Sequence, residues 1–496
     1  MNETKATQES KRTSAPGRLV ASSSAAGAAT IEIQSLYVSE KKIYPRSVSG
    51  WFARWRWGLV WLTQLLFYSL PWLPWNGRQA VLFDLSSRRF FIFDLVLQPQ
   101  DFIYLTGLLL VSAYALFLFT TVAGRLWCGF ACPQTVYTEM FLWLERRFEG
   151  DRIARMRLDA APWSIAKAAR KAGKQVAWLS LSLWTGFTFV GYFTPIRLLA
   201  AEAAQLAFGP WEWFWVLFYG FATYGNAGYL REQVCKYMCP YARFQSAMFD
   251  KDTLIIGYDS ERGEPRGARG RKADPAQMGL GTCIDCSLCV QVCPTGIDIR
   301  KGLQYECIGC AACIDVCDSV MDKMSYPRGL IRYATQNGID GHWTRRQMFK
   351  RVLRPRVLIY TTILLLLCTG LALSLAWRDP FRVDVVRDRG TLARLIDDGY
   401  IENVYRLQIM NGAEAELRFQ ITALGLSGLQ MSRPVELAVA STESRWVSVA
   451  VKMSPQAAAA AGPGVHAMQF RIEGQGPLLR DQAHTSIEKS TFIIPR

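Results

Sequence analysis

Eight cysteines in two closely spaced groups constrain this chain more than any other feature. Both groups have the spacing Cys-x2-Cys-x2-Cys-x3-Cys, and they comprise Cys283, Cys286, Cys289 and Cys293, then Cys307, Cys310, Cys313 and Cys317. Three thiolates two residues apart wrap one corner of a 4Fe–4S cubane, and the fourth reaches the neighbouring cluster. Zinc ribbons instead place two Cys-x2-Cys units far apart. The spacing therefore predicts a ferredoxin-like segment with two 4Fe–4S clusters.

Each cluster should take three cysteines from one group and the last cysteine of the other. We predict that Cys283, Cys286, Cys289 and Cys317 bind the first cluster, and that Cys307, Cys310, Cys313 and Cys293 bind the second. Small residues such as Gly309, Ala311 and Ala312 should let the backbone approach the inorganic sulfurs. Asp318 stands where the first group has Pro294, which leaves ligation intact and predicts a different turn there.

Long apolar segments indicate a membrane protein. Half of the 496 residues are hydrophobic and only 20% are charged, which is unusual for a soluble enzyme. A helix needs about 20 residues to cross the hydrocarbon core of a bilayer. Five segments meet that need, at roughly 57–75, 102–122, 176–193, 211–230 and 357–377. We therefore expect an α-helical bundle of about five spans.

The distribution of basic residues predicts the orientation. The net charge of +16 lies mostly beside the apolar segments, which is typical of cytoplasmic loops and gives no reason to expect a nucleic-acid partner. The loop after the second span is rich in arginine and lysine from Arg125 onward, whereas the loop after the third has Arg197 alone. We expect a multi-pass protein of the bacterial inner membrane. Its N-terminus and clusters would be cytoplasmic, and everything after Trp377 periplasmic.

A second cysteine pattern occurs twice. Cys-x3-Cys-Pro follows the second span as Cys128, Cys132 and Pro133, and follows the fourth as Cys235, Cys239 and Pro240. Residues i and i+4 share a helix face, but proline favours an extended residue before it or the first turn of a new helix. These thiol pairs could bind a soft metal such as Cu(I), cycle as redox thiols, or only pack. Their repetition favours a function and leaves open whether they form one site or two.

Glu139 and Glu232 flank the thiol pairs near the predicted membrane edge. Carboxylates there could relay protons, but a solvated helix face is the more common role, and we expect it for both.

Other cofactors are not expected. The three histidines, His342, His466 and His484, all lie outside the predicted spans, so a membrane haem with two histidine ligands cannot be built. The chain has neither a dinucleotide-binding Gly-x-Gly-x-x-Gly after a strand nor a Walker loop, so nicotinamide and ATP are not expected either.

The C-terminal part alternates apolar and polar residues over short runs separated by Gly, Asn, Pro and Ser. Tyr405, Leu407 and Ile409 form one such run. Period-two alternation at this spacing predicts an immunoglobulin-like β-sandwich. It carries no cysteine, so a docking or structural role is expected.

These features divide the chain into five parts. We predict a disordered cytoplasmic tail at 1–43, a four-span membrane domain at 44–254, a ferredoxin-like domain at 255–350, a fifth transmembrane helix at 351–378 and a periplasmic immunoglobulin-like domain at 379–496.

The order of these parts, together with the run Trp-Cys-Gly-Phe-Ala-Cys-Pro-Gln-Thr-Val-Tyr at 127–137, resembles the cytochrome c oxidase accessory protein family, also called the CcoG, FixG or RdxA family. The resemblance covers nearly the whole chain from about Tyr44. It implies a cupric reductase that supplies Cu(I) for the assembly of cbb3-type cytochrome c oxidase. It also implies that Cys128, Cys132, Cys235 and Cys239 bind the copper and form the catalytic site.

The resemblance further implies a lipid bilayer, a cytoplasmic electron donor, and oxidase assembly factors or a copper transporter or chaperone as partners, with a homodimer left open. One alternative is a membrane subunit that passes quinol or ferredoxin electrons to a periplasmic reductase, similar to NapH and NosR. Another is a scaffold whose clusters only sense redox state or oxygen.

Overall fold

The computed structural model describes residues 42–495, apart from 272, 276, 389, 391, 392 and 477–483. Before residue 42 it describes only two short strands that pair antiparallel, β1 (Arg18–Val20) and β2 (Glu32–Gln34). Most of the expected N-terminal tail therefore lies outside the described residues.

The first half of the chain is mainly helical. Its elements are α1 (Trp51–Ser69), β3 (Pro74–Trp75), β4 (Arg78–Gln79), β5 (Val81–Asp84), β6 (Arg89–Ile92), β7 (Leu95–Leu97), α2 (Phe102–Ala123), α3 (Leu126–Phe130), α4 (Pro133–Glu149), α5 (Arg152–Ala160), α6 (Ile165–Val190), α7 (Ile196–Ala204), α8 (Pro210–Thr223) and α9 (Pro240–Met248). Between α8 and α9 the chain forms two π-helical segments, Tyr224–Leu230 and Val234–Met238.

The cysteine-rich segment forms a small unit that contacts the start of α1. Its elements are β8 (Ile255–Tyr258), α10 (Ser260–Gly263), α11 (Leu288–Gln291), α12 (Ala312–Met324), β9 (Ile331–Ala334), α13 (Gln336–Asp340) and α14 (Arg345–Lys350). Strands β8 and β9 pair antiparallel. The carboxylate of Asp315 on α12 accepts hydrogen bonds from the backbone N–H groups of Phe52, at 3.2 Å, and Ala53, at 2.7 Å. It thereby satisfies two of the free N–H groups at the start of α1.

After helix α15 (Pro355–Ala376) the chain forms a β-sandwich. Its elements are β10 (Phe381–Arg387), β11 (Arg394–Leu395), β12 (Ile401–Asn411), β13 (Leu417–Leu424), β14 (Leu429–Met431), β15 (Val435–Val439), β16 (Ser444–Met453), α16 (Pro455–Ala461), β17 (Gly464–Gln475) and β18 (His484–Ile494). One sheet has the order β10-β12-β16-β14, with β11 on β12, and the other has the order β15-β13-β17-β18. Alternate residues such as Tyr405, Leu407 and Ile409 are fully buried between the sheets, which confirms the predicted alternation.

Each expected span lies mostly on helical structure, although the first extends past α1 into β3, and the helices differ. Of the helices in the described part of the chain, two are long and apolar enough to cross a membrane: 99–123, which contains α2, and α15. The other three helices are less apolar or shorter. Helix α1 carries Arg54 and Arg56 in its first turns, and α6 begins in a charged segment that ends near residue 175. Helix α8 has only 14 residues. The bundle of five spans therefore stays a prediction.

Helices α2 and α15 pack antiparallel. The hydroxyl of Tyr104 donates to the carbonyl of Ser374 at 3.2 Å, and at the opposite end Arg354 donates to the carbonyl of Thr121 at 2.6 Å. The sandwich is attached at the first end, where the buried carboxylate of Asp101 pairs with arginines that follow α15. The cysteine-rich unit is attached at the opposite end of the α2 and α15 pair. A helix of 22 residues is about 33 Å long, so the pair separates the two units by about the thickness of a bilayer core.

Candidate electron-transfer and metal sites

Two cavities gather the eight closely spaced cysteines, and we call them the cluster cavities. The first contains about 370 Å³ of empty space, and its lining includes Cys283, Cys286, Cys289 and Cys317. The second contains about 330 Å³, and its lining includes Cys293, Cys307, Cys310 and Cys313, together with Cys289. These are the two sets of four that the crossing rule predicts. The assignment of each cysteine as a ligand stays a prediction.

The backbone around the cluster cavities suits an anionic cofactor. In both groups the residues on either side of the second cysteine have a positive φ. They are Asp285 and Ser287 around Cys286, and Gly309 and Ala311 around Cys310. Such conformations turn successive N–H groups toward one concave surface, which favours negative charge. Ser287 and Ala311 also stand at the starts of α11 and α12. This shared geometry lets the backbone approach a cluster closely.

The chemistry of the donors also fits clusters better than single ions. Within the described residues, no three His, Cys, Asp or Glu side chains lie close enough to hold one metal ion. A cubane separates its four protein ligands, so the spread of the cysteines agrees with it. Burial raises the pKa of Cys307 and of Cys317 to about 12, so a cluster must displace their protons when it binds.

Asp318, at the position of Pro294 in the first group, lies inside α12, whereas α11 ends at Gln291 before Pro294. Its carboxylate accepts a hydrogen bond from the backbone N–H of Gly329 at 3.0 Å, which ties the end of the cysteine segment to the chain before β9.

The two thiol pairs adopt the same local geometry. Cys132 and Cys239 are extended, with ψ of 128° and 110°, and each immediately precedes a proline that occupies the first position of a helix, α4 or α9. Cys128 lies in α3, and Cys235 lies in the π-helical segment before α9. Each pair therefore spans a helix boundary, as the proline predicts, and the two thiols of a pair do not share one continuous helix.

All four thiols of the pairs lie in one neighbourhood. Burial raises the pKa of Cys128 to about 11, and the thiols of Cys132 and Cys239 add to the rise. Burial raises the pKa of Cys235 to about 12, with further contributions from the other three thiols. Because each of these two thiols senses both pairs, the structure brings the pairs together without closing them around a single ion.

The thiol pairs adjoin the second cluster cavity. Cys128 and Cys235 pack against an apolar cluster that includes the ligand-position residue Cys310. A Cβ atom placed on Gly129 would lie 2.7 Å from the backbone nitrogen of Cys310, and one on Gly309 would lie 3.1 Å from the carbonyl carbon of Arg125. The first Cys-x3-Cys loop and the Cys310 loop thus meet backbone to backbone, with no side chain between them.

Sequence reasoning missed two buried polar residues at this contact. Gln245 on α9 is fully buried, and its Oε1 lies 3.6 Å from Sγ of Cys128. Arg125 is 7% exposed, donates to the carbonyl of Ala242, and lowers the pKa of Cys128 against the larger effect of burial. In the sequence, Arg125 is only one of the basic residues that mark a cytoplasmic loop. Its position three residues before Cys128 was the available signal.

Glu139 is not on a solvated face, so that expectation was wrong. Its side chain is 17% exposed and lies 3.5 Å from the guanidinium of Arg56, which also donates to the carbonyl of Cys310. Arg56, Glu139 and Glu232 line a small cavity that also reaches Cys235 and Cys310. The structure therefore connects both thiol-pair carboxylates to the second cluster cavity.

Three stretches of the chain match known protein families. Residues 230–336 match the family described as a 4Fe-4S dicluster domain, and residues 105–150 match a 4Fe-4S binding domain. Residues 371–495 match the IG-like fold at the C-terminus of FixG. The predicted ferredoxin-like and immunoglobulin-like parts are thereby confirmed. The match at 105–150 contains Cys128 and Cys132.

Curated relatives match over most of their length. Nitrogen fixation protein FixG of Rhizobium meliloti (strain 1021) is 37% identical over 427 residues, which cover 80% of this chain and 82% of that protein. Protein RdxB of Cereibacter sphaeroides is 39% identical, with coverage of 81% and 86%. Protein RdxA of the same organism is 36% identical, with coverage of 80% and 86%. A crystal structure of a FixG-related protein from Vibrio parahaemolyticus covers 23% of this chain and 97% of its own, at 21% identity and a TM-score of 0.20.

Proposed function

Since the chain belongs to the FixG and RdxA family, we propose that it is a cupric reductase, which reduces Cu(II) to Cu(I) for the assembly of cbb3-type cytochrome c oxidase. Membership confirms the resemblance predicted from the sequence. With its 4Fe–4S domains, the chain is an iron–sulfur electron-transfer protein. The proposal adds a substrate, copper, and a site, the thiol pairs.

One observation carries the proposal: the backbone contact between Gly129 and the Cys310 loop. When bound, the clusters supply one-electron transfer over a wide range of potentials. Close packing with no intervening side chain is what an electron donor and its acceptor need. An ion at Cys128 would thus lie beside the second cluster cavity.

The thiol pairs have the chemistry that copper reduction requires. Thiolates are soft ligands that prefer Cu(I) over Cu(II), so ligation by cysteine favours gain of one electron by the bound ion. The start of α4 presents its backbone N–H groups to Cys132, which favours its thiolate form against the effect of burial. Arg125 adds a fixed positive charge beside Cys128. Both features favour the thiolate form of these cysteines before copper binds.

The same proposal assigns the chain to the bacterial inner membrane with several spans. The cluster cavities would face the cytoplasm and the sandwich the periplasm, which agrees with their attachment at opposite ends of the α2 and α15 pair. Oxidase assembly factors, or a copper transporter or chaperone, would then exchange copper with the thiol pairs.

The test is a double substitution, Cys128→Ser with Cys235→Ser, in the purified full-length protein. We expect both cluster EPR signals to persist while Cu(II) reduction by the dithionite-reduced protein is lost. Cys368→Ser is the matched control, because this cysteine lies in α15, away from the cavities. Copper reduction at the wild-type rate in the double variant would place the copper site elsewhere.

A further inference from the structure

An open groove lies outside the metal sites. It contains about 1200 Å³ of empty space between α1, α4 and α6. Its walls are mostly apolar and aromatic, with Trp57, Trp61 and Trp143 among them, and Gln64, Tyr68 and Arg146 supply polar groups. A concave, largely apolar surface with a few polar groups is typical of small-molecule sites.

Gln64 contributes an unpaired hydrogen-bond acceptor to the wall of the groove. Its side chain is 8% exposed, and its amide oxygen finds no hydrogen-bond partner among the described residues. A buried, unpaired amide oxygen costs about 1–3 kcal/mol, so such a group normally has a ligand or water as its partner. A lipid acyl chain would fill the groove but leave this oxygen unpaired.

The groove is connected to the second cluster cavity through α1. Arg56 precedes Gln64 by eight residues, which is about 12 Å along the helix axis. Its guanidinium contacts both the carbonyl of Cys310 and the carboxylate of Glu139. Glu139 is next to Met140, which lines the groove. Helices α1 and α4 thus connect the groove to the second cluster cavity and to the carboxylate of Glu139.

We propose that this groove binds a membrane quinol and that the quinol is the electron donor of the protein. The aromatic head group would lie among the tryptophans, with one hydroxyl donating to Gln64 Oε1. The isoprenoid tail would leave along the exposed apolar face of α1, where Leu62, Leu65 and Leu66 are each more than half exposed. This replaces the expected cytoplasmic donor with one that reaches the protein from the bilayer.

The reaction balances with the groups described. The quinol loses two hydroxyl protons and two electrons and becomes a quinone. With clusters bound, the two cluster sites would accept the electrons one at a time, and Glu139, in the cavity that it shares with Glu232, would accept the protons. Two one-electron sites match a two-electron donor. The inference rests on the electron-transfer part of the proposed function and is independent of copper.

Photolabelling tests the binding site directly. The full-length protein, in nanodiscs of phosphatidylethanolamine and phosphatidylglycerol, is irradiated with an azidoquinone, and the labelled peptides are identified by mass spectrometry. We expect label on α1 or α4 that decylubiquinol displaces. Label elsewhere, or label displaced only by added phospholipid, would show a lipid groove and overturn the proposal.

Reduction kinetics test the donor role. Decylubiquinol should reduce the clusters of the wild type. Gln64→Leu, which removes the acceptor at similar volume, should slow this about tenfold, and Leu181→Trp, which fills the groove, should abolish it. Thr63→Val is the matched control, because its hydroxyl bonds its own helix at the carbonyl of Leu59. Wild-type rates in both groove variants would overturn the proposal.

Dithionite separates this inference from the proposed function. It should reduce the clusters equally in all variants, and dithionite-reduced Leu181→Trp should still reduce Cu(II). If quinol fails to reduce the clusters of the wild type while dithionite-driven copper reduction persists, the quinol proposal is wrong and the cupric reductase proposal is supported. The reverse result removes the copper proposal alone.

Discussion

The cluster cavities and the thiol pairs are both built from cysteines, but their construction differs. The cavities take all their cysteines from one short segment, 283–317, whose left-handed residues wrap the backbone around each cavity. The thiol pairs bring together two distant segments at helix boundaries, and none of their four cysteines is buried, whereas Cys283, Cys289 and Cys310 of the cavities are. The first construction encloses a cofactor that stays, whereas the second suits an ion that enters and leaves.

The largest effect should come from breaking a cavity. Cys310→Ser removes a predicted ligand of the second cluster, so iron should fall from about eight to about four per chain and copper reduction should be lost. Metal analysis and EPR check this. Cys128→Ser with Cys235→Ser should keep all the iron. About twelve irons in the wild type would instead assign the thiol pairs to a third cluster.

The affinity of the thiol pairs for Cu(I) should depend on pH. The pKa of Cys235 is raised from 9.0 to about 12, so below pH 9 copper must displace its proton, and affinity should rise about tenfold per pH unit for each proton released. Titration of Cu(I) against a chelator between pH 6 and 9 measures this. Affinity that is flat with pH would contradict buried thiols as ligands.

The same raised pKa predicts the stability of the metal-free chain. Because the unfolded thiol ionises first, near its ordinary pKa of 9.0, the contribution of Cys235 is fully present below pH 9 and is lost as the pH rises toward about 12. Thermal unfolding across that window should show the loss, and it should be smaller in Cys235→Ser.

A smaller effect should follow from separating the two sites. The added Cβ of Gly129→Ala would lie 2.7 Å from the nitrogen of Cys310, so the loops must move apart, and copper reduction should slow about tenfold with both clusters retained. Gly58→Ala on α1 is the control, because its Cβ meets nothing within 4 Å. An unchanged rate would mean that this contact does not carry the electron.

The smallest effect should come from Gln245→Met. Methionine has a similar volume but cannot hydrogen-bond Thr120, and it removes the contribution by which Gln245 lowers the pKa of Cys128, so copper affinity should fall only about threefold. Chelator competition measures it. A loss as large as that of Cys128→Ser would make Gln245 a ligand.

Local patterns predicted the parts of this protein that local chemistry builds. The cysteine spacing predicted two sets of four, and the structure gathers the same sets in two cavities. The alternation around Leu407 predicted the sandwich, since period two is a property of the strand itself. Hydropathy placed the expected spans on helices, but it could not show that α6 begins in a charged segment or that α8 ends at Thr223.

The residues that sequence reasoning missed act over long distances in the chain. Asp315 caps α1 from more than 260 residues away, and Arg56 pairs with Glu139 on another helix. Nothing near these residues in the sequence reveals the partner, because a charged side chain at a helix position usually faces solvent. Only the fold shows that these charges are buried and paired.

The sequence by itself predicted two 4Fe–4S clusters, because ligand chemistry and spacing are local, and it left open what the repeated thiols do. The tertiary structure decided how the sites relate. It places Gly129 against the Cys310 loop, joins the two thiol pairs into one neighbourhood, and forms a groove around Gln64. These relations depend on the packing of helices far apart in the chain, which no local pattern specifies.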